Sequence, residues 1–343
     1  TGSSAASDVY KRQEFIYFDT FMEEALYSQL GFFNTDIVRS DKEGDFLTSP
    51  EVSKYFGKII RNWINSKSNL KNIIEIGSGT GSLIEQIGIK EITAVELSST
   101  ARDELIKKGI KTYTTINELN TNTSDLIFGN EILDNIPCSI GIYRDEGWYE
   151  KVVLLEDTSL SYELKPMRNE ELEWINKNNI VPNEDYEFEI QVNIDKFLNS
   201  VVKKINPKKI LLFDYGYEQD NRDKRMYSSL LRTYKNHHLS VDPIEDSGNI
   251  DITYDVNFSS ISRQLTTLGY KVTLKLQRDF LLDNGFNIFF DKLQHKYITA
   301  EGIEKLKINS ELGGLKAIVD LNGLGGFYCL TAVSYTHLRA HET

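Results

Sequence analysis

The sequence predicts an α/β protein with a doubly wound, mostly parallel sheet. Three observations carry this prediction. An apolar run over 72–76 leads into three alternating glycines, and a second apolar run over 91–97 ends beside an acid. A third observation is the regular alternation of such runs with helical patterns, which is typical of parallel sheets covered by crossover helices.

Seven strands are predicted along the chain, separated early on by helices over 82–87 and 98–108. The strands are expected at 73–76, 92–97, 111–115, 125–129, 209–214, 271–277 and 327–331.

Two stretches do not belong to a minimal sheet. Residues 14–70 carry apolar residues at helical spacing, so we expect an N-terminal helical region whose apolar stripes are core. Residues 216–258 form a polar and aromatic excursion after a central strand, which favours a functional insertion. We therefore expect a core domain over 71–331.

The two ends are set apart from this domain. The reverse complement of the DNA that encodes residues 8–13, read in another frame, encodes residues 333–337. Such an inverted repeat indicates sequencing adapter, so residues 1–13 and 332–343 are interpreted as not native.

Composition narrows the function. The net charge of −12 becomes −13 without the ends, which argues against nucleic acid as the main partner and permits a cationic substrate. Two cysteines, Cys138 and Cys329, are too few for a disulfide framework, so a reducing compartment is expected. No run approaches the length of a membrane span, and few histidines remain to build a metal site.

The alternating glycines Gly77, Gly79 and Gly81 form the most informative motif. Without Cβ atoms, they let backbone N–H groups approach a ligand at the start of a helix. Glu96, at the end of the next strand, is placed to accept the hydroxyls of an adenosine ribose. A dinucleotide motif would have a third glycine where Ser82 stands, so the spacing favours S-adenosylmethionine over NAD. A glycine-rich connector that binds nothing is the alternative.

The strand over 125–129 ends in a second polar cluster. Asn130, Glu131 and Asp134 follow it, and ligands of open α/β sheets bind at such strand ends. If a guanidinium accepts a methyl group, carboxylates are needed to orient it and receive its proton. Glu131 and Asp134 are therefore catalytic candidates, although Asp134 is equally explained as an ordinary acid at a helix N-terminus.

A third cluster follows the strand over 209–214. Asp214 is a further catalytic candidate, with a purely orienting role as the alternative. Tyr215, Tyr217 and His237 are candidates for substrate binding, and packing or a solvated loop is the alternative for each of them.

These segments, taken in order, resemble the MidA family of methyltransferases that use S-adenosylmethionine, whose mitochondrial members are complex I assembly factors that methylate an arginine. The matching segments are FMEEALY at 21–27, LGFF at 30–33, GDFLTSPE at 44–51, the glycine turn, VELS at 95–98, NEILD at 130–134, DYGY at 214–217, DIT at 251–253, VNF at 256–258 and GLGGF at 323–327.

The resemblance implies a class I methyltransferase fold with a Rossmann-like sheet. The cofactor-binding residues it implies are Asp45, Phe46, Thr48, Glu75, Gly77, Ser78, Gly79, Gly81, Glu96, Leu97 and Asn130. Two positions depart from the family pattern: Asn257 stands where many members have an acid, and Cys138 stands where valine is usual.

The leading hypothesis is a protein methyltransferase that acts on an arginine of a respiratory complex I-type subunit. Its alternatives are an assembly chaperone that binds S-adenosylmethionine without catalysis and an NAD-linked oxidoreductase. The expected partner is a protein, with no nucleic acid and no membrane insertion, and a homodimer is left open. The abundance of Ile, Asn and Lys favours a bacterial cytoplasm, with the mitochondrial matrix expected for a eukaryotic source.

Overall fold

The computed structural model describes residues 15–34, 48–67, 70–156, 159–224, 229–235, 238–239 and 241–338. Its strands are β1 (Phe15–Tyr17), β2 (Ile73–Ile76), β3 (Ile92–Val95), β4 (Thr112–Tyr113), β5 (Ser124–Asn130), β6 (Ser139–Arg144), β7 (Gly147–Glu156), β8 (Ser159–Pro166), β9 (Glu187–Ile190), β10 (Pro207–Asp214), β11 (Gly216–Tyr217), β12 (Leu231–Lys235), β13 (His238–Leu239), β14 (Asp251–Tyr254), β15 (Val256–Asn257), β16 (Tyr270–Leu276) and β17 (Tyr328–Ser334).

The helices are α1 (Phe18–Tyr27), α2 (Ser49–Val52), α3 (Tyr55–Ser66), α4 (Ser82–Ile87), α5 (Ser99–Lys107), α6 (Asn169–Asn178), α7 (Val192–Ile205), α8 (Phe258–Thr267), α9 (Gln277–Asp283), α10 (Phe286–Thr299), α11 (Gly302–Ala317) and α12 (Tyr335–Leu338).

A seven-stranded sheet forms the centre, in the order β16-β17-β10-β5-β2-β3-β4. These are the seven strands predicted from the sequence, so the predicted sheet is confirmed. All of them run in one direction except β17, which is antiparallel to both β10 and β16. The chain order reverses on either side of β2, which places a crevice at the carboxyl ends of β2 and β5.

Apolar residues cover both faces of this sheet. Successive side chains of a strand point to opposite faces. Ile73 packs with α3 and α4 on one face, whereas Ile74 packs with Ile205 of α7 on the other, and all three side chains are fully buried. Burial on both faces explains why the strands read as continuous apolar runs.

A separate five-stranded sheet, which the sequence analysis did not distinguish, combines β1 with the four strands that lie between β5 and α7 in the chain. Its order is β1-β7-β6-β9, with β8 paired to β7. The N-terminal segment therefore begins as a strand of this sheet before α1 starts. Polar and charged residues interrupt these strands, as in the exposed and half-buried pattern of β8, and this explains why no apolar run revealed them.

The predicted insertion after β10 contains a three-stranded antiparallel sheet, β13-β12-β14. All four residues of β14 are buried. A further insertion between β16 and β17 comprises α9, α10 and α11, which the sequence analysis did not predict. There, the Tyr55 hydroxyl of α3 donates to Glu311 Oε2 of α11 at 2.6 Å.

Strand β17 continues through Ala332, which is fully buried, to Ser334. It thus includes three residues of the C-terminal segment that the sequence analysis set apart. Across the described ranges, no helix combines the length and apolar character needed to cross a bilayer. Within the same ranges, His, Cys, Asp and Glu side chains form no group of three suited to a metal ion.

Candidate functional site

A cavity of about 800 Å³ opens at the carboxyl ends of β2, β3 and β5. Parts of α1, α2, β12 and β14 close it on the other sides. Its described lining includes seven carboxylates and no Lys, Arg or His side chain. The seven acids are Glu23, Glu51, Glu75, Glu96, Glu131, Asp134 and Asp251. Such a lining favours a ligand that carries positive charge.

The glycine turn forms one end of the cavity. Gly77, Gly79 and Gly81 all have positive φ angles, of 67°, 50° and 86°. A Cβ on Gly77 would lie 2.4 Å from Cγ2 of Ile132, so this position needs glycine for space as well as for conformation. Gly77 and Gly79 line the cavity. Gly81 does not: it precedes α4 and packs against Leu105.

Glu96 connects the end of β3 to the glycine turn. Its Oε2 accepts the N–H of Gly79 at 2.8 Å, and its Oε1 accepts the N–H of Ser98 at 2.8 Å. Burial raises the pKa of Glu96, and these two bonds oppose the effect. Glu96 and Leu97, two of the predicted cofactor-binding residues, both line the cavity.

Glu75 lies at the base of the turn. Its side chain is 2 % exposed, it lines the cavity, and its Oε2 has no hydrogen-bond partner among the described residues. Burial raises its pKa well above the ordinary value. A buried carboxyl group that lines a cavity with one oxygen unpaired fits a cationic group of a ligand, such as an ammonium. The predicted residue Ser78 lines the cavity beside it.

Helix α2 covers the cavity, through Pro50 and Glu51, and Thr48 lines it directly before the helix starts. Thr48 is thus where the sequence analysis placed it. Asp45 and Phe46 lie outside the described residues.

Glu131 and Asn130 stand at the end of β5, and both line the cavity. Glu131 has a φ of 52°, a left-handed conformation that costs energy for a side chain with a Cβ and that is common at functional sites. Its Oε1 accepts from Asn130 Nδ2 at 2.9 Å. Burial and the nearby Asp134 raise the pKa of Glu131 to about 8.

Asp134 is the second predicted acid that lines the cavity, and it is 4 % exposed. The Tyr215 hydroxyl lies 2.6 Å from Asp134 Oδ2 and 2.6 Å from Thr253 Oγ1. Asp134 Oδ1 has no partner among the described residues. Burial raises the pKa of Asp134 to about 6, although the bond from Tyr215 and the charge of Arg232 lower it. Asp134 is therefore held from one side and unpaired on the other.

Asp214 is not among the residues that line the cavity, which corrects the expectation that it contacts the acceptor. Its Oδ2 accepts the N–H groups of Leu133 and Asp134 at 2.8 and 3.4 Å, and its Oδ1 accepts the N–H of Tyr215 at 2.9 Å. Fully buried, Asp214 fixes the turn that carries Asp134. This is the orienting role that was its alternative.

Of the two predicted substrate-binding residues that the structure describes, Tyr215 lines the cavity and Tyr217 does not. Tyr217 is buried elsewhere, with the guanidinium of Arg222 5.9 Å from its ring centroid, so packing is the better account of it. His237 lies outside the described residues.

Several residues of the acceptor end were missed by the sequence analysis. Tyr27 and Phe33 stack with ring centroids 5.5 Å apart at one wall. Tyr234, Asp251 and Thr253 form another. Two features of the sequence pointed to these regions without naming a residue: the predicted functional insertion over 216–258, and the family resemblance over 21–27, 30–33 and 251–253.

Comparison with known proteins identifies the family. Residues 56–274 match the sequence model of the family described as "Putative S-adenosyl-L-methionine-dependent methyltransferase". The chain is similar to the mitochondrial protein arginine methyltransferase NDUFAF7 homolog of Caenorhabditis elegans, with 25 % identity over 78 % of this chain and 72 % of that protein. Its similarity to mitochondrial NDUFAF7 of Rattus norvegicus is 24 % identity over 72 % of this chain and 65 % of that protein.

Among solved structures, the fold is similar to that of a COG1565 superfamily member from Burkholderia thailandensis bound to S-adenosyl-homocysteine. The TM-score is 0.82 at 20 % identity, over 96 % of this chain and 90 % of that one. The residues present here fit S-adenosylmethionine, since Glu75 has one oxygen without a partner that could bind its ammonium group and Glu96 lines the cavity as an acceptor for its ribose. With well over half of its length matched, the chain belongs to this family of S-adenosylmethionine-dependent methyltransferases.

Proposed function

We propose that this protein methylates an arginine side chain of a protein substrate. One observation carries the proposal: beyond the glycine turn, the same cavity continues between Glu131, Asp134 and Asp251 without a basic side chain in its described lining. A guanidinium pairs with carboxylates and stacks on aromatic rings. Both kinds of group are present at this end of the cavity.

Each of the acceptor-end residues has a task in such a transfer. When bound, S-adenosylmethionine supplies an electrophilic methyl group. The unpaired oxygen of Asp134 holds the guanidinium and receives the proton that the attacking nitrogen loses. Tyr215 fixes the other oxygen of Asp134, and Asp214 fixes the turn beneath it. Holding the acceptor in line is the main contribution required of the protein.

Glu131 has a different task, because its pKa of about 8 keeps it mostly protonated near neutral pH. A protonated carboxyl can donate a hydrogen bond, and it adds no second negative charge beside Asp134. The stacked Tyr27 and Phe33 form an aromatic wall of the cavity, against which a planar guanidinium can pack away from water.

The proposed substrate is a respiratory complex I-type subunit, as the resemblance to the MidA family implies. Support comes from the relatives whose names specify arginine methylation and a mitochondrial location. For this chain, the composition favours a bacterial cytoplasm, so the proposed substrate is the bacterial counterpart of such a subunit.

The test compares two proteomes of the source cell, one from a strain in which the gene is deleted. Purified wild-type protein and tritiated S-adenosylmethionine are then added to the extract of the deletion strain. The proposal expects one labelled protein whose methyl-arginine is missing in the deletion strain. Label on a different residue type would overturn it. Cofactor binding with no labelled protein would favour an assembly chaperone instead.

A further inference from the structure

Arg232 of β12 lies behind the cavity wall, beside the side chain that holds Asp134. Its guanidinium carbon is 4.9 Å from the ring centroid of Tyr215. It also forms an ion pair with Asp255, whose side chain is 3 % exposed. Arg232 is not among the described residues that line the cavity, so an acceptor would meet Tyr215 and Asp134 rather than Arg232 itself.

The contacts form a continuous path to the acceptor site. Asp255 holds the guanidinium of Arg232, the guanidinium lies against the Tyr215 ring, and the Tyr215 hydroxyl contacts Asp134 Oδ2. The positive charge of Arg232 beside the Tyr215 ring favours the charged form of Asp134, which the Tyr215 hydroxyl contacts. The pair of Arg232 and Asp255 therefore influences Asp134, whose Oδ2 is bound by Tyr215 and whose Oδ1 has no partner among the described residues.

Among the described residues, Arg232 is the cation whose charge lowers the pKa of Asp134. The titratable groups that face it are acids and phenols from four parts of the fold, with Arg232 as the opposing charge. They are Tyr27 on α1, Glu131 in the same turn, Asp214 and Tyr215 at the end of β10, Asp251 and Tyr254 on β14, and Arg232 on β12. Without Arg232, like charges and burial would both favour the neutral form of Asp134.

We propose that Arg232 is a positioning residue of the acceptor site, which acts through Tyr215 to keep the Asp134 carboxylate charged and directed into the cavity. This proposal depends on the proposed function in one respect: Asp134 would bind a cationic acceptor. It separates the two neighbouring acids by role, with Asp134 as the anion and Glu131 as the neutral partner. It also gives the insertion that carries β12 a part in the chemistry of the core domain.

The test follows the titration of Asp134 in the full chain labelled with 13C at the aspartate carboxyl carbons. The Asp134 resonance is identified by its loss in Asp134→Asn. The titration midpoint is then measured in wild type, Arg232→Lys, Arg232→Met and the double variant Arg232→Met/Asp255→Asn. The double variant avoids an unpaired buried acid, so it remains informative if Arg232→Met alone fails to fold.

We expect the midpoint of Asp134 to rise by about one pH unit in the double variant and to stay near wild type in Arg232→Lys. Binding of methylguanidinium at pH 7 should weaken about twofold in the double variant, because a midpoint that rises from about 6 to about 7 leaves half of Asp134 charged. Lys235→Met is the matched control, because it removes a cation of the same strand that pairs with Asp246 at the surface. This control should change neither quantity.

An unchanged midpoint in the folded double variant would overturn the proposal, since a merely structural ion pair would lower the melting temperature without moving the titration of Asp134. Failure of the proposed function looks different. In that case the midpoint shifts as expected, but no protein arginine is methylated by the wild type.

Discussion

The backbone N–H of Gly79 donates a 2.8 Å hydrogen bond to Oε2 of Glu96, so the glycine turn after β2 and the acid after β3 form one unit. The second oxygen of Glu96 is bound by Ser98. This relationship changes what the loss of Glu96 should do. A solvated acid at a strand end would affect ligand binding alone, whereas Glu96 also holds the glycine turn in place.

Glu96→Ala should therefore weaken S-adenosylmethionine binding at least tenfold and also lower the melting temperature of the ligand-free protein. Hydrogen bonds to a charged acceptor contribute roughly 1.5–3 kcal/mol each to stability. The variant loses those that Glu96 accepts from Gly79 and Ser98. Calorimetry with S-adenosylmethionine and a thermal melt measure the two effects. Glu96→Gln keeps one acceptor oxygen and serves as the control for size. Unchanged affinity in Glu96→Ala would contradict the assignment of the ribose end.

Gly77→Ala should destabilise the protein and abolish tight cofactor binding, because the new Cβ would lie 2.4 Å from Ile132 and φ is 67°. Gly109→Ala is the matched control: φ there is 74°, but no atom lies within 4 Å of the new Cβ. The control therefore carries the conformational cost alone, about 1 kcal/mol. Thermal melts that show equal losses in both variants would contradict the close approach of the turn to Ile132.

Glu131→Gln should stabilise the ligand-free protein progressively from about pH 5 to pH 8. The pKa of Glu131 is raised to about 8 in the folded protein, so between its unfolded pKa near 4.5 and this value the folded state holds more protons. Stability then falls as pH rises, and the variant removes that slope. Melting temperatures across this range test it. A constant difference between wild type and variant would show that Glu131 is not the group that titrates.

Asp134→Asn should affect methyl transfer alone, whereas Asp214→Asn should affect stability as well. Asp134→Asn should lower methyl transfer by about a hundredfold while the protein stays folded, because it removes a positioned acid that receives a proton. Asp214→Asn should lower the melting temperature as well, since one of its oxygens would no longer accept the N–H groups that hold the turn. A stable Asp214→Asn protein that has lost only transfer would restore Asp214 to a direct catalytic role.

The features that could be predicted from the sequence are those set by adjacent residues. The glycine turn needs positive φ angles at positions two apart, and α4 was predicted with the bounds that the structure shows. The central strands were predicted because burial on both faces requires apolar residues in sequence. For these elements, the pattern of neighbouring residues is enough to predict the structure that they adopt in the fold.

The acceptor end could not be predicted in the same way, because Tyr27 and Asp251 meet there from positions more than two hundred residues apart. No spacing rule joins such positions. Asp214 and Asp251 also show the difficulty, since both are fully buried acids at strand ends or starts, but only Asp251 lines the cavity. Which acid faces a ligand depends on the N–H groups that surround it, and the chain order does not reveal these.

Helix α2, which covers the cofactor end of the cavity, is attached to a late part of the chain. Gln277 of α9 is fully buried and donates from Nε2 to Ser49 Oγ of α2 at 3.0 Å, across 228 positions of sequence. During synthesis, the glycine turn and both of its flanking strands leave the ribosome long before Gln277 does. A nascent chain therefore has its cofactor motif early but lacks the attachment of the covering helix until most of the polypeptide has been translated.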